Sequence, residues 1–274
     1  MTLNHRDARS FAACEAIICD LDGTLYLDKV AIRGAKEFLY GVIESGKRLF
    51  YFTNNTSASR RTWLDKLAGF GFPAQDDFLI TSADCAEAYL RRNGLYPRIY
   101  LVGNQELRTE FAARGFTCLT EQEALEEAPQ AVLLGFDTEL NYEKISTCYT
   151  LIQQNVPYIA THADILCPVG RNTFKPDVGS FIALFETATN GRRPVVVGKP
   201  SKEAVRFISE KAGTTNTKMA FIGDRLYTDI RMAVNTGMLS ILVLSGETTR
   251  AMLQQSSDKP HMVVNSVADL ASYL

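Results

Sequence analysis

Two carboxylates one residue apart end an apolar run in Ala16-Ile17-Ile18-Cys19-Asp20-Leu21-Asp22-Gly23-Thr24-Leu25-Tyr26. The run is too short for a helix and reads as a strand buried on both faces. Gly23 lets the backbone turn sharply behind it. Strand periodicity puts Asp20 and Asp22 on one side, where two like charges repel unless a cation or a shared proton lies between them. Three more apolar runs end in polar residues: Thr53-Asn54-Asn55, then Gly198-Lys199-Pro200-Ser201, then Gly223-Asp224-Arg225 with Asp229 following. Each alone reads equally well as a helix cap, a loop or a turn. All four at the carboxyl ends of strands, where open α/β sheets bind ligands, supply the parts of phosphoryl transfer. Asp20 offers a carboxylate nucleophile. Asp20 and Asp224 offer the hard oxygens that Mg²⁺ takes together with water and substrate phosphate. The Thr53 hydroxyl and the neighbouring amides can donate to phosphoryl oxygens, and Lys199 can offset their charge. Asp229 can orient a metal-bound water or Lys199 from behind.

The elements that must hold these residues alternate between strand and helix nearly throughout, which predicts an α/β fold with a parallel sheet. Phe38, Leu39, Val42 and Ile43 give a helix over residues 35–45, stopped by Gly46. Arg48 to Phe52 reads as a second strand, Trp63, Leu64 and Leu67 mark a helix, and Leu79-Ile80 gives a short third strand. From Ser82 the pattern restarts. Strands are expected at Arg98 to Val102, Phe116 to Leu119, Ala131 to Gly135 and Tyr158 to Thr161, with helices around Leu107 and over residues 142–154. A turn-rich loop spans His162 to Pro176, and a helix begins near Val178. A third series places strands at Val195 to Val197, Met219 to Ile222, Ser240 to Leu244 and Met262 to Val264. The reading is a core made of the two ends of the chain, residues 1–81 and 179–274, with residues 82–178 inserted as a second domain.

Composition sets the remaining bounds. With 46% apolar and 22% charged residues the chain has the make-up of a soluble globular protein. A net charge of −2 without a basic run argues against a nucleic-acid partner. Cys14, Cys19, Cys85, Cys118, Cys148 and Cys167 show no Cys-x-x-Cys spacing and read as small buried thiols of a reducing compartment. No apolar run approaches the ~20 residues of a membrane helix, and Met1 to Glu15 lacks an apolar signal core, so the expected location is cytoplasmic. No P-loop, Gly-x-Gly-x-x-Gly, His-Glu-x-x-His or Gly-x-Ser-x-Gly pattern occurs.

Taken in order, Asp-x-Asp-Gly-Thr-Leu-Tyr, Thr-Asn-Asn, Gly-Lys-Pro-Ser and Gly-Asp-Arg-Leu-x-Thr-Asp-Ile resemble the four motifs of the haloacid dehalogenase superfamily of aspartate-nucleophile phosphatases. The place and size of the insertion resemble its subfamily with a C2-type cap. The resemblance implies a doubly wound, mostly parallel, Rossmann-like core sheet with an inserted α/β cap. It implies Asp20 as nucleophile, Asp22 as general acid and base with its backbone carbonyl on the metal, and Thr53 and Lys199 as catalytic partners. Asn54, Asn55 and Lys199 would bind substrate; Asp20, Asp22 and Asp224 would hold Mg²⁺, with Asp229 behind them. The activity expected is a Mg²⁺-dependent phosphatase acting on a small phosphate monoester, such as a sugar phosphate, a nucleotide or phosphoglycolate, through an aspartyl-phosphate. The partner is that small phosphorylated metabolite, with no nucleic acid and no membrane, and a homo-oligomer through the cap is left open. Alternatives are a phosphomutase on the same core, a dehalogenase, which would not need Asp224, and a phospho-acceptor module, which would need neither Asp22 nor a cap. One position departs from the family, which often has Asn or Asp where Thr161-His162-Ala163-Asp164 has His162. His162 reads as a surface-loop histidine, so the roles of His162 and Asp164 stay unassigned.

Overall fold

A computed structural model describes residues 5–170 and 173–274. The first residues of the polar N-terminal segment and residues 171–172 of the expected loop lie outside the described residues. In chain order the strands are β1 (Ala16–Asp20), a short hairpin of β2 (Tyr26–Leu27) and β3 (Val30–Ala31), β4 (Arg48–Thr53) and β5 (Leu79–Thr81). Then come β6 (Arg98–Val102), β7 (Thr117–Cys118), β8 (Ala131–Leu134), β9 (Tyr158–Ala160), and a second hairpin of β10 (Leu166–Gly170) and β11 (Thr173–Pro176). The chain ends with β12 (Val195–Val196), β13 (Met219–Gly223), β14 (Leu239–Val243) and β15 (Met262–Val264). Among the described residues no helix is long and apolar enough to cross a membrane.

The chain divides into two compact units, the first formed by Met1–Thr53, Trp63–Ile80 and Pro200–Leu274. Its sheet runs β15–β14–β13–β1–β4–β5, with β1 parallel to both β13 and β4. Ala16, Ile17, Ile18 and Cys19 are fully buried, as expected of a central strand covered on both faces. Each of the two isoleucines contributes about 1.5–3 kcal/mol by its burial. The helix Ala35–Glu44 buries Ala35, Phe38, Leu39 and Val42, and Gly46 with φ +76° ends the turn after it. From β1 the chain builds outward through β4 and β5, then returns to the other side of β1 for β13, β14 and β15. The winding therefore reverses between β1 and β13, and such a reversal opens a crevice at the carboxyl ends of the two strands.

The second unit comprises Asn54–Thr62 and Thr81–Lys199. Its own parallel sheet runs β12–β9–β8–β6–β7. Tyr100, Val132, Leu151, Phe181 and Phe185 belong to its apolar core. Two sequence expectations change here. The segment read as a loop from His162 to Pro176 contains the antiparallel hairpin β10–β11. The helix Val178–Ala188 and β12, assigned by sequence to the core, belong to this second unit, since Val195 pairs with Ile159 and Val196 with Ala160. Both units use the same alternation of strand and helix, so no shift of composition marks where one ends.

Candidate active site

Asp20 is the last residue of β1, and Asp224 follows Gly223 at the end of β13. One carboxylate oxygen from each of Asp20, Asp224 and Asp229 lies within 4.8 Å of the others. Asp224 is held tightly. Its Oδ2 accepts the Glu247 N–H at 2.6 Å, and its main-chain oxygen accepts the Thr248 hydroxyl. Its Oδ1 is buried and, among the described residues, has no hydrogen-bond partner. Two glycines press against it: a Cβ at Gly23 or at Gly246 would fall 2.2 or 2.1 Å from Asp224 Oδ2. Ser245 Oγ donates to the Gly23 carbonyl at 2.7 Å, joining the loop after β14 to the turn after β1.

Asp229 comes from a wide π-type turn, Leu226–Ile230, and its Oδ2 accepts the Arg225 N–H at 3.1 Å. A Cβ at Gly223 would lie 2.4 Å from its carboxyl group. Burial, followed by the charges of Asp20 and Asp229, pushes the Asp224 carboxyl well above the usual range, with Arg225 and the Glu247 N–H pulling it back. Three crowded carboxylates, one with an orphaned oxygen, fit a hard divalent cation, whose charge inverts this local penalty.

Asp22 lies in the turn just beyond β1. Strand geometry ends at Asp20, so the alternation no longer governs Asp22, which instead bridges to Tyr26. Its Oδ2 accepts the Tyr26 hydroxyl at 3.2 Å, and Lys66 Nζ stands 3.8 Å from its Oδ1. Lys66 also lies 4.0 Å from the centroid of the Tyr26 ring. Burial raises the Asp22 carboxyl above its ordinary range, while Lys66, the Tyr26 hydrogen bond and Arg225 oppose that rise. A carboxyl in that condition can carry a proton at a pH where an ordinary one has lost it.

Thr53 ends β4 and is buried. The other predicted residues belong to the second unit. The buried Asn54 turns its side chain to the backbone of Lys199 and to Asp164. Asn55 Oδ1 accepts the Ser57 N–H at 2.8 Å and the Ser57 hydroxyl at 2.7 Å, closing an Asx turn. Lys199 is 3% exposed.

His162 requires a correction, because it is fully buried and not on a surface loop. Its Nε2 lies 2.9 Å from Asp177 Oδ1, and its Nδ1 2.9 Å from Thr161 Oγ1. Asp177 Oδ1 also accepts the Val178 N–H that opens the helix, so the histidine ties the end of β9 to a helix start. A loop rich in turn formers gives no sign that one side chain turns inward to meet a cap fifteen positions on. His162, Asp164 and Asp177 form a close group of potential ligands, within which His162 Nε2 is hydrogen-bonded to Asp177.

Sequence reasoning passed over Ser245-Gly246-Glu247-Thr248, which grips Asp224 and the turn after β1. The signal was the one already in use, since the four residues follow the apolar run Ser240 to Leu244. It also passed over Lys66 and the hydroxyl of Tyr26, whose proximity to Asp22 depends on a helix packing beside the β1 turn.

Residues 17–117 match the family of haloacid dehalogenase-like hydrolases, and residues 196–270 match a second family described as HAD-hydrolase-like. Glycerol-3-phosphate phosphatase of Gallus gallus is 32% identical, over 94% of this chain and 91% of that protein. Ribonucleotide monophosphatase NagD of Escherichia coli is also 32% identical, over 93% of this chain and 97% of its own. Among solved structures, 4-nitrophenylphosphatase of Thermotoga maritima superposes with a TM-score of 0.89 at 38% identity, covering 96% of this chain and 98% of that one.

Proposed function

The chain belongs to the haloacid dehalogenase-like hydrolases and is a hydrolase of phosphoric monoesters; on that premise we propose that it works through a phosphorylated Asp20 with Mg²⁺ as its cation. The observation that carries the reading is Asp20 at the sheet reversal beside the orphaned, buried oxygen of Asp224. Asp20 and Asp224, with the main-chain carbonyl of Asp22, would hold the cation, and Asp229 would stand behind them. When bound, Mg²⁺ supplies charge neutralisation between the nucleophile and the phosphoryl oxygens.

The chain's own residues then have definite tasks. An oxygen of Asp20 forms a bond to phosphorus as the ester oxygen departs, and Asp22 delivers its proton to that oxygen. Asp22, now a carboxylate, takes a proton from water, whose oxygen attacks the same phosphorus and releases phosphate and the Asp20 carboxylate. The Thr53 hydroxyl and the main-chain amides after it, including those of Asn54 and Asn55, donate to the phosphoryl oxygens, and the Lys199 ammonium offsets their charge. The substrate is a small monoester, of the class that includes the nucleotides and glycerol phosphate for which the relatives are named. Cysteines that lack Cys-x-x-Cys spacing and are mostly buried favour a cytoplasmic setting.

The test combines a panel of small phosphate esters, assayed with and without Mg²⁺, with intact-mass analysis of rapidly quenched enzyme. The expected result is many turnovers per protein, loss of turnover with chelator, and a phosphate mass on Asp20 alone. Phosphate mapped to another residue, or full turnover in excess chelator, would refute the reading.

A further inference from the structure

Asn54 uses its whole side chain inside the second unit. Its Oδ1 accepts the Lys199 N–H at 2.9 Å, and its Nδ2 donates to the Lys199 carbonyl at 3.1 Å and to Asp164 Oδ2 at 3.3 Å. An amide nitrogen has two hydrogens, and these two contacts take both. The orientation of the amide is fixed by its partners, because a backbone N–H can only donate and a carboxylate can only accept. Asp164 therefore keeps the oxygen of Asn54 turned toward Lys199. The Asn54 main chain is itself anchored, with Ser82 Oγ donating to its carbonyl at 2.7 Å.

The residue before Lys199 completes the grip. Gly198 N donates to the Thr161 carbonyl at 2.7 Å, and a Cβ on Gly198 would lie 2.4 Å from that carbonyl oxygen and 2.7 Å from Asn54 Oδ1. Only a glycine lets the two segments approach so closely. Both polar groups of the Lys199 peptide unit are thus held by one side chain at the root of a four-carbon stem. A lysine is a point charge on a flexible chain, unlike the planar fork of an arginine. Fixing its backbone removes the part of its freedom nearest the main chain, which helps to aim an ammonium at a small target.

We propose that Asn54 is a positioning residue that acts on the reaction through Lys199, with Asp164 setting the orientation of its amide. The inference rests on the role given to Lys199 in the proposed function. It differs from the sequence expectation in that the Asn54 side chain has no hydrogen left to offer a phosphoryl group.

The experiment is a double-mutant cycle read in kcat/KM for p-nitrophenyl phosphate and in the affinity for inorganic phosphate of Asp20→Asn protein, measured by calorimetry. Asn54→Asp is nearly isosteric, loses both donors and sets a carboxylate against Asp164 and the Lys199 carbonyl. It should lower kcat/KM at least tenfold and weaken phosphate binding, yet change either by less than twofold once Lys199→Ala is present. Exchanging the pair, Asn54→Asp with Asp164→Asn, removes the clash with Asp164, though not the one with the Lys199 carbonyl, and should recover part of the loss. Melting temperatures identify any variant that does not fold; the exchange carries the test where Asn54→Asp alone fails. Equal losses with and without Lys199 would overturn the inference, because Asn54 would then act on the substrate directly. So would a wild-type value for Asn54→Asp, or an exchange no better than the single variant. A Lys199→Ala protein with undiminished turnover and phosphate affinity would instead remove the role of Lys199 itself, and the inference with it.

Discussion

In the mechanism proposed, a proton on Asp22 is the most exacting demand made on any one residue. The ordinary aspartate value of ~3.9 would leave it ionised near neutrality, and burial raises it while Lys66 and Tyr26 hold it back. An alkoxide leaving group needs that proton, whereas p-nitrophenolate departs without it. Phosphorylation of Asp20 by an alkyl phosphate should therefore slow as pH rises through the elevated Asp22 titration, and that limb should vanish in Asp22→Asn. Pre-steady-state kinetics should show a loss of 10²-fold or more with the alkyl ester, against a small one with p-nitrophenyl phosphate. Equal losses would mean that Asp22 is not the acid.

Asp224 makes a prediction about stability. Its folded-state titration lies above its unfolded one, so the native metal-free protein binds the extra proton. Its contribution to stability is present below the ordinary carboxylate range and is lost as pH rises through the folded-state value. At neutral pH, Asp224→Asn should raise the melting temperature of the chelated protein by a few degrees, corresponding to about 1 kcal/mol. On the proposed role of Mg²⁺, wild-type protein should gain stability from added Mg²⁺ and the Asp224→Asn variant should not. A variant that melts lower than wild type in chelator would count against the charge-crowding account.

At the scale of elements, the loop after β14 and the turn after β1 act as one clamp on a carboxylate, and glycine makes the clamp possible. Gly246→Ala puts a methyl carbon 2.1 Å from Asp224 Oδ2, and the Gly23 turn on the other side limits how far that carboxyl can retreat. Mg²⁺ affinity, followed by calorimetry, should fall at least tenfold, or about 1.4 kcal/mol. Gly237 is the control. It ends the helix Arg231–Thr236 in the left-handed conformation with φ +78° and open space around it. Gly237→Ala should cost roughly 1–2 kcal/mol of stability and leave Mg²⁺ affinity unchanged. Similar affinities for the two variants would show that the clamp does not set the metal carboxylate.

For the molecule as a whole, the unit boundary decides which deletions are tolerable. Residues 82–178, read from sequence as the inserted domain, omit the helix Val178–Ala188 and β12. Replacing 82–178 by a linker would leave Phe181, Ile182 and Phe185 without their core, each worth about 1.5–3 kcal/mol when buried. Replacing 82–197 removes those side chains as well and leaves β1, β4, β5, β13, β14 and β15 intact. On size-exclusion chromatography the shorter deletion should aggregate and the longer one should elute as a discrete species. The longer deletion should retain some p-nitrophenyl phosphate turnover with little discrimination among natural esters. A soluble 82–178 deletion would place the boundary where the sequence suggested.

Local signals made much of this protein legible without coordinates. An apolar run too short for a helix reads as a buried strand, four such runs ending in polar residues together mark where the chemistry lies, and strand-helix alternation carries the fold class. The positions of Asp20, Asp224 and Thr53 at strand ends follow from that, because each depends only on its own run. Relations between distant segments were not legible. Asp22 leaves the strand one step after Asp20 and meets Lys66, His162 turns inward to Asp177, and Asn54 grips the backbone of Lys199. β12 joins β9 although its sequence suits either sheet. Each of these depends on which segments pack together, and a side chain's local pattern carries no record of the partner that tertiary packing brings to it.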